Sequence, residues 1–127
     1  SNWRQDIRTE RRASASVPRR KLEVEAMNKT AILLAVVWQI LNVSAYTSHE
    51  TGSTLTASGV HAVEGVTVAA DHLPFGTRLY IPTLGAWYTV QDRFGGGYND
   101  RLDIYMERQG DAWEFGRRWL SVMYEEE

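Results

Sequence analysis

The sequence predicts an all-β fold with one short helix, in which six strands close into a small barrel from Val43 onward. Three observations point there. Short apolar–polar alternations recur along this stretch, each stopped within a few residues by glycine, proline or aspartate. Only one segment has helical character. Half a dozen short strands in so small a unit leave edges that closure into a barrel removes.

In chain order, Gln39 to Thr47 reads as a first strand, and Thr51-Gly52-Ser53 and Ala57-Ser58-Gly59 are turn chemistry. Val66-Thr67-Val68-Ala69 alternates and ends at Ala70-Asp71. Leu73-Pro74-Phe75-Gly76-Thr77 turns the chain, because proline fixes φ and glycine tolerates the tight bend after it. Arg78-Leu79-Tyr80-Ile81 stops at Pro82, and after Thr83-Leu84-Gly85 the run from Trp87 to Asp92 returns as its hairpin partner. Gly95-Gly96-Gly97 makes a loop. Arg101 to Met106 then places Leu102, Ile104 and Met106 on one face and Arg101, Asp103 and Tyr105 on the other. Gly110 to Gly116 is the helical segment, with Asp111 expected to cap it and Gly116 to end it. Trp119 to Tyr124 is the last strand, and Glu125-Glu126-Glu127 a solvated end.

Composition narrows the function classes. A chain of 127 residues suits one domain with a modest core. With no cysteine, disulfide frameworks, thiolate zinc sites and a cysteine nucleophile are all excluded. A net charge of -2 gives no sign of nucleic-acid binding. That average conceals a split: residues 1–26 carry seven basic and four acidic groups, and residues 27–127 carry seven basic and twelve acidic ones.

Residues 1–26 lack a sustained apolar period and read as a disordered basic tail or upstream extension. From Met27 the character changes. Lys29 precedes an uncharged run, Ala31 to Trp38, and Val43-Ser44-Ala45 provides a small-residue exit. Residues 27–42 therefore read as a signal-peptide-like or anchor segment, too short for a comfortable transmembrane helix. A buried strand is the plain alternative. Either way, the unit carrying function is expected over residues 43–127.

The chemistry candidates are Asp71, Asp92 and Asp103, each at or within a β segment beside apolar neighbours. A carboxylate there is costly unless paired or functional. If Asp92 and Asp103 lay on neighbouring strands, about 4.8 Å apart, mutual repulsion would raise one of them toward neutrality, as a general acid requires. The alternative has Asp71 and Asp92 accepting turn N–H bonds while Asp103 pairs with Arg101 or Arg93.

Ordered motifs carry a resemblance. They are Ser44-Ala45-Tyr46-Thr47, Thr56-Ala57-Ser58-Gly59, Ala69-Ala70-Asp71, Leu73 to Thr77, Tyr80-Ile81-Pro82, Arg101-Leu102-Asp103-Ile104-Tyr105 and Phe115-Gly116-Arg117-Arg118. Together with the interval from Asp92 to Asp103, they make residues 43–124 resemble the 3D (three-aspartate) domain of bacterial cell-wall lytic proteins. That domain is related to the membrane-bound lytic transglycosylase A family. The resemblance implies a six-stranded double-psi β-barrel that cleaves the MurNAc–GlcNAc bond of peptidoglycan to a 1,6-anhydro-muramic product, with no metal or other cofactor. By position it implies Asp103 as catalytic acid/base, Asp92 as the group that tunes it, and Asp71 in the same cleft. The loop departs from the family pattern, with Arg93 and Tyr98 where a small hydroxyl and a lysine usually stand. Its replacements still offer sugar contacts: Gly95 and Gly96 through backbone N–H groups, Phe94 and Tyr98 through ring stacking.

The implied partner is the peptidoglycan glycan strand. No nucleic acid is expected, and membrane contact only through the N-terminal apolar segment. The protein is expected to be a monomer, secreted or in the cell envelope, bacterial or phage-encoded. A non-catalytic wall-glycan binder on the same barrel is the competing function. His49, His61 and His72 with Asp71 lack regular ligand spacing, Ser58 with His61 lacks a nucleophile elbow, and Gly95 to Gly97 lacks the lysine and helix of a phosphate loop.

Overall fold

The computed structural model describes residues 20–24 and 34–126. The tail expected before Arg20 and the start of the signal-like segment, 27–33, lie outside the described residues. Seven strands are present: Arg20–Val24 (β1), Leu34–Tyr46 (β2), Thr67–Ala69 (β3), Arg78–Ile81 (β4), Ala86–Asp92 (β5), Arg101–Tyr105 (β6) and Arg118–Glu126 (β7). Two helical segments accompany them, a single turn at Ser48–Thr51 (α1) and Gln109–Phe115 (α2). Among the described residues no helix is long and apolar enough to cross a membrane.

The strands form one sheet in the order β1-β2-β6-β3-β5-β4-β7, and β7 pairs back onto β2. Six strands, β2 to β7, thus close into a barrel, and β1 is an extra strand on the N-terminal half of β2. Two ladders are parallel, β2 with β6 and β3 with β5, and the rest are antiparallel. The expected hairpin is present, with Leu79 opposite Tyr88 and Tyr80 opposite Trp87.

The barrel interior follows from alternation. Val37, Leu41 and Val43 of β2 are fully buried, as are Leu79 and Ile81 of β4, Val90 of β5, Leu102 of β6, and Leu120 and Val122 of β7. Leu73 and Phe115 join this cluster from outside the strands. Each such side chain contributes about 1.5–3 kcal/mol by leaving water.

Four expectations need correcting. The barrel begins before Val43: Leu34–Asn42, read as part of a signal-like segment, forms most of β2, because Val37 and Leu41 continue the inward-facing set of Val43. Arg20–Val24, read as part of the tail, pairs antiparallel with Leu34 to Trp38. Asp111 does not cap α2. The cap position is Arg108, without a side-chain bond, and Asp111 sits inside the first turn, where a negative charge complements the helix dipole. Gly116 does end the helix, its N–H bonded to the Ala112 carbonyl at a φ of 67°. The last strand also runs on through Glu125 to Glu126, whose carboxylate meets Lys21 at 3.3 Å.

Candidate functional site

The outer face of β2 carries Ser44 and Tyr46, the side chains that alternate with buried Val43 and half-buried Ala45. Parallel pairing sets Ser44 opposite Asp103 and Tyr46 opposite Tyr105. On the far side of β6, antiparallel pairing sets Asp103 opposite Ala69. On the far side of β3, a register shift sets Ala69 opposite Asp92. Ser44, Asp103, Ala69 and Asp92 therefore make one row across four strands. The small Ala69 separates the two carboxylates.

This arrangement corrects the expected direct pairing of Asp92 with Asp103. Their strands are not neighbours, since β3 intervenes, and two strand spacings hold their backbones about 9–10 Å apart. The pairing depended on neighbouring strands, and the insertion of β3 between β5 and β6 removes it.

Asp103 is half-buried. Burial drives its carboxyl upward, and charge from Glu50 and then Asp92 adds to that. The Ser44 hydrogen bond (Oγ to Oδ1, 3.1 Å) and the Arg101 charge oppose it. The balance puts the pKa at about 6, so the group is protonated in mildly acidic solution. Glu50 is placed by a relay from the barrel end: Thr47, fully buried, bonds Gln109 (2.8 Å), whose amide reaches Glu50 (3.4 Å).

Asp92 is tied down from three directions. It accepts hydrogen bonds from the Tyr46 hydroxyl (2.9 Å), from the Ala57 N–H (2.9 Å) and from the Arg93 N–H (2.9 Å). Burial, followed by the bond to Asp92, pushes the Tyr46 hydroxyl far above its ordinary value, so it remains a donor. Tyr46 packs edge-on against Tyr105 with centroids 5.5 Å apart, and these rings with Ala69 form a second small buried cluster beneath the site.

Asp71 takes the role that the sequence offered as its alternative, accepting turn N–H bonds. Its two oxygens accept five backbone N–H bonds from Phe94, Gly95, Gly96, Gly97 and Tyr98, at 2.7–3.2 Å. Burial raises this carboxyl, but the N–H groups of Gly95, Tyr98, Gly96 and Phe94 outweigh it and hold it below its ordinary value. Asp71 is thus the anion around which the glycine loop winds. Gly95 and Gly97 adopt φ of 100° and 70°, which turns successive N–H groups inward. The expectation that Gly95 and Gly96 offer N–H groups to a sugar is corrected for the same reason.

The aromatic side chains of that loop point elsewhere. Phe94 and Tyr98 meet edge-to-face at 5.5 Å, and the Arg101 guanidinium lies over both rings, 4.5 Å and 5.4 Å from their centroids. A Cβ at Gly96 would run into the Tyr98 ring as it stands, so this ring position depends on the glycine. Tyr98 remains 44% exposed. Arg93 turns away from the carboxylates: it donates to the carbonyls of Ala70 (2.8 Å) and Leu73 (2.9 Å) and stacks on Phe75 at 3.8 Å. The pairing of Arg93 with Asp103 offered by the sequence is therefore not the one adopted.

The other constellations stay apart. The His61 ring meets Thr54 (2.8 Å) and the Ser58 hydroxyl meets Thr56 (3.1 Å). Among the described residues no three histidine, aspartate or glutamate side chains gather as a metal site. Sequence reasoning missed Ser44, Tyr46 and Glu50 as site residues. For the first two a signal existed, since they alternate with Val43 and Ala45 on the strand bearing the Ser-Ala-Tyr-Thr motif.

No protein-family model matches the sequence, and no curated protein matches it.

Proposed function

We propose that this chain is a peptidoglycan lytic transglycosylase, built on a double-psi barrel and acting outside the cytoplasmic membrane where its substrate lies. The observation that carries the reading is Asp103, a single half-buried carboxyl held by Ser44, with a pKa of about 6. The interleaved strand order with its two parallel ladders supports the double-psi assignment.

One carboxyl suffices for this reaction. Protonated Asp103 gives its proton to the glycosidic oxygen as the bond from C1 of MurNAc to that oxygen breaks. The C6 hydroxyl of the same sugar attacks C1, and its proton returns to the Asp103 carboxylate. The acid is regenerated, no water is consumed, and a 1,6-anhydro ring closes. A hydrolase would need a second carboxylate to activate water or to serve as nucleophile. Asp92, fixed by three donors, serves as a positioning residue. Its charge adds to the forces that keep Asp103 protonated, and it anchors Tyr46 and the Thr56 to Gly59 loop around the row.

The second reading, a wall-glycan binder without catalysis, is favoured by the exposed ring of Tyr98 beside Arg101 and by the absence of a loop lysine. Digestion of purified sacculi separates the two. Wild type is expected to release anhydro-muropeptides detectable by mass spectrometry, and Asp103→Asn to release none. Sedimentation of wild type with sacculi and no such products would leave only the binder.

A further inference from the structure

Outward-facing side chains of five strands line up in one row on the barrel wall. Register sets Arg20 opposite Trp38, Trp38 opposite Met123, Met123 opposite Tyr80, and Tyr80 opposite Trp87. The row crosses β1, β2, β7, β4 and β5 in that order. Its direction follows from alternation: the adjacent Val37, Val122, Leu79 and Tyr88 are buried, so the row itself faces out. Trp87 is 55% and Met123 38% exposed, Trp38 and Tyr80 are half-buried, and Arg20 is exposed. At one end the Trp87 ring lies 5.1 Å from Tyr80 and 5.2 Å from the Arg78 guanidinium. Four strand spacings make this band about 19 Å long. β3 and β6, which carry Ala69 and Asp103, lie outside it.

We propose that this band is a two-fold interface with a second copy of the chain, in place of the monomer expected from the sequence. The order of its residues selects the occupant, because an isologous contact needs a surface that complements itself. With the axis along β7 at Met123, two bands meet in reversed order. Met123 then faces its own copy, Trp38 faces Tyr80 of the second copy, and Arg20 faces Trp87 of the second copy. The cationic end of each band lies on the aromatic end of the other, with ring against ring between. The alternative axis, running along the band, would set Arg20 on Arg20, like charge on like charge. Tryptophan, tyrosine, methionine and arginine are also the residues that protein interfaces favour. Glu125 borders the same hollow as Arg78 and Met123, so each copy brings an acid and a base close to the axis. That acid disfavours the other apolar occupant, a bilayer with anionic headgroups.

Sedimentation velocity on the full chain tests the interface, from about 1 µM to about 0.2 mM protein. The wild type is expected to pass from monomer to dimer over this range. Met123→Lys puts two like charges on the axis, and Trp87→Ala removes an aromatic anchor. Each should weaken the dimer at least about tenfold, with circular dichroism checking that both variants fold. Because the chain has no cysteine, an introduced one reports its own neighbours. Facing sheets lie about 10 Å apart, beyond direct disulfide reach, so a short bismaleimide is the reagent. Met123→Cys should cross-link to itself, and Trp38→Cys to Tyr80→Cys when the two proteins are mixed. Trp113→Cys, at a 74% exposed position on α2 away from the band, should not cross-link. A wild type that stays monomeric at the top of the range overturns the proposal. So does a dimer unaffected by Met123→Lys and by folded Trp87→Ala; its loss in Lys21→Pro would put the contact on the edge of β1 instead.

Discussion

Asp92 and Asp103 stand at one level of the sheet on opposite sides of Ala69. Carboxylates that touch share one proton and titrate as a unit. Here an alanine-bearing strand keeps them apart, so Asp103 owes its raised pKa first to burial, and Asp92 is the weakest of its named influences.

On the proposed lytic reading, this sets the pH dependence of activity. A general acid must carry its proton in the resting enzyme, so kcat/KM for release of anhydro-muropeptides is expected to be level below about pH 6 and to fall about tenfold per pH unit above it. Glu50→Gln removes a charge that raises Asp103 and should move this limb toward lower pH. A limb that stays in place in the Glu50 variant, or a rate that rises through pH 6, contradicts the assignment.

The same group leaves a mark on stability, and its sign is opposite to that of a salt-bridged aspartate. The folded pKa, about 6, lies above the ordinary value of 3.8. Between these values the folded state holds the proton more tightly than the unfolded state. Unfolding free energy should therefore decline as pH rises from about 4 to 6, by on the order of 2 kcal/mol, and then level off. Asp103→Asn should lack this decline in urea melts.

Asp71→Ala should release the glycine loop. Charged acceptors strengthen hydrogen bonds, so loss of the shared anion is expected to cost on the order of 2–3 kcal/mol. Hydrogen exchange should show lost protection at the amides of residues 94–98, with β4 and β7 unaffected. In the wild type the carboxyl is held below 3.8, so its contribution is complete above that pH and disappears as pH falls through the lower folded value. Loop amides that exchange equally fast in both proteins would contradict this role.

Truncation tests the revised boundary. A chain starting at Val43 loses fully buried Val37 and Leu41 and most of the β2–β7 ladder. The two side chains alone represent several kcal/mol against a typical stability of about 5–15 kcal/mol, and circular dichroism should show no cooperative unfolding. A chain starting at Leu34 lacks β1 but keeps all six barrel strands, and should still melt cooperatively.

Some of this was readable in the residues. The β4–β5 hairpin and β6 announce themselves by local alternation and adjacent turns, and Gly116 ends its helix as its type demands. The N-terminal half of β2 was harder, because a run such as Ala31 to Trp38 satisfies both an exported leader and a strand buried from both sides. The strand order was not readable either. That β3 enters between β5 and β6 depends on a parallel ladder with one and an antiparallel ladder with the other, between segments distant in sequence, which leave no local pattern. Asp71 was legible as a costly carboxylate with turn N–H groups as possible partners, but which residues would supply them was not, because backbone N–H groups look alike in every sequence.

Closure of the barrel by β2 against β7 also constrains when the molecule can form. Nine register pairs join Ala35–Val43 to Arg118–Glu126, the first and last strands of the ring. Because β7 follows every other strand of the ring in the sequence, the ring cannot close until β7 has been made. Contacts of such long sequence separation also make folding slow.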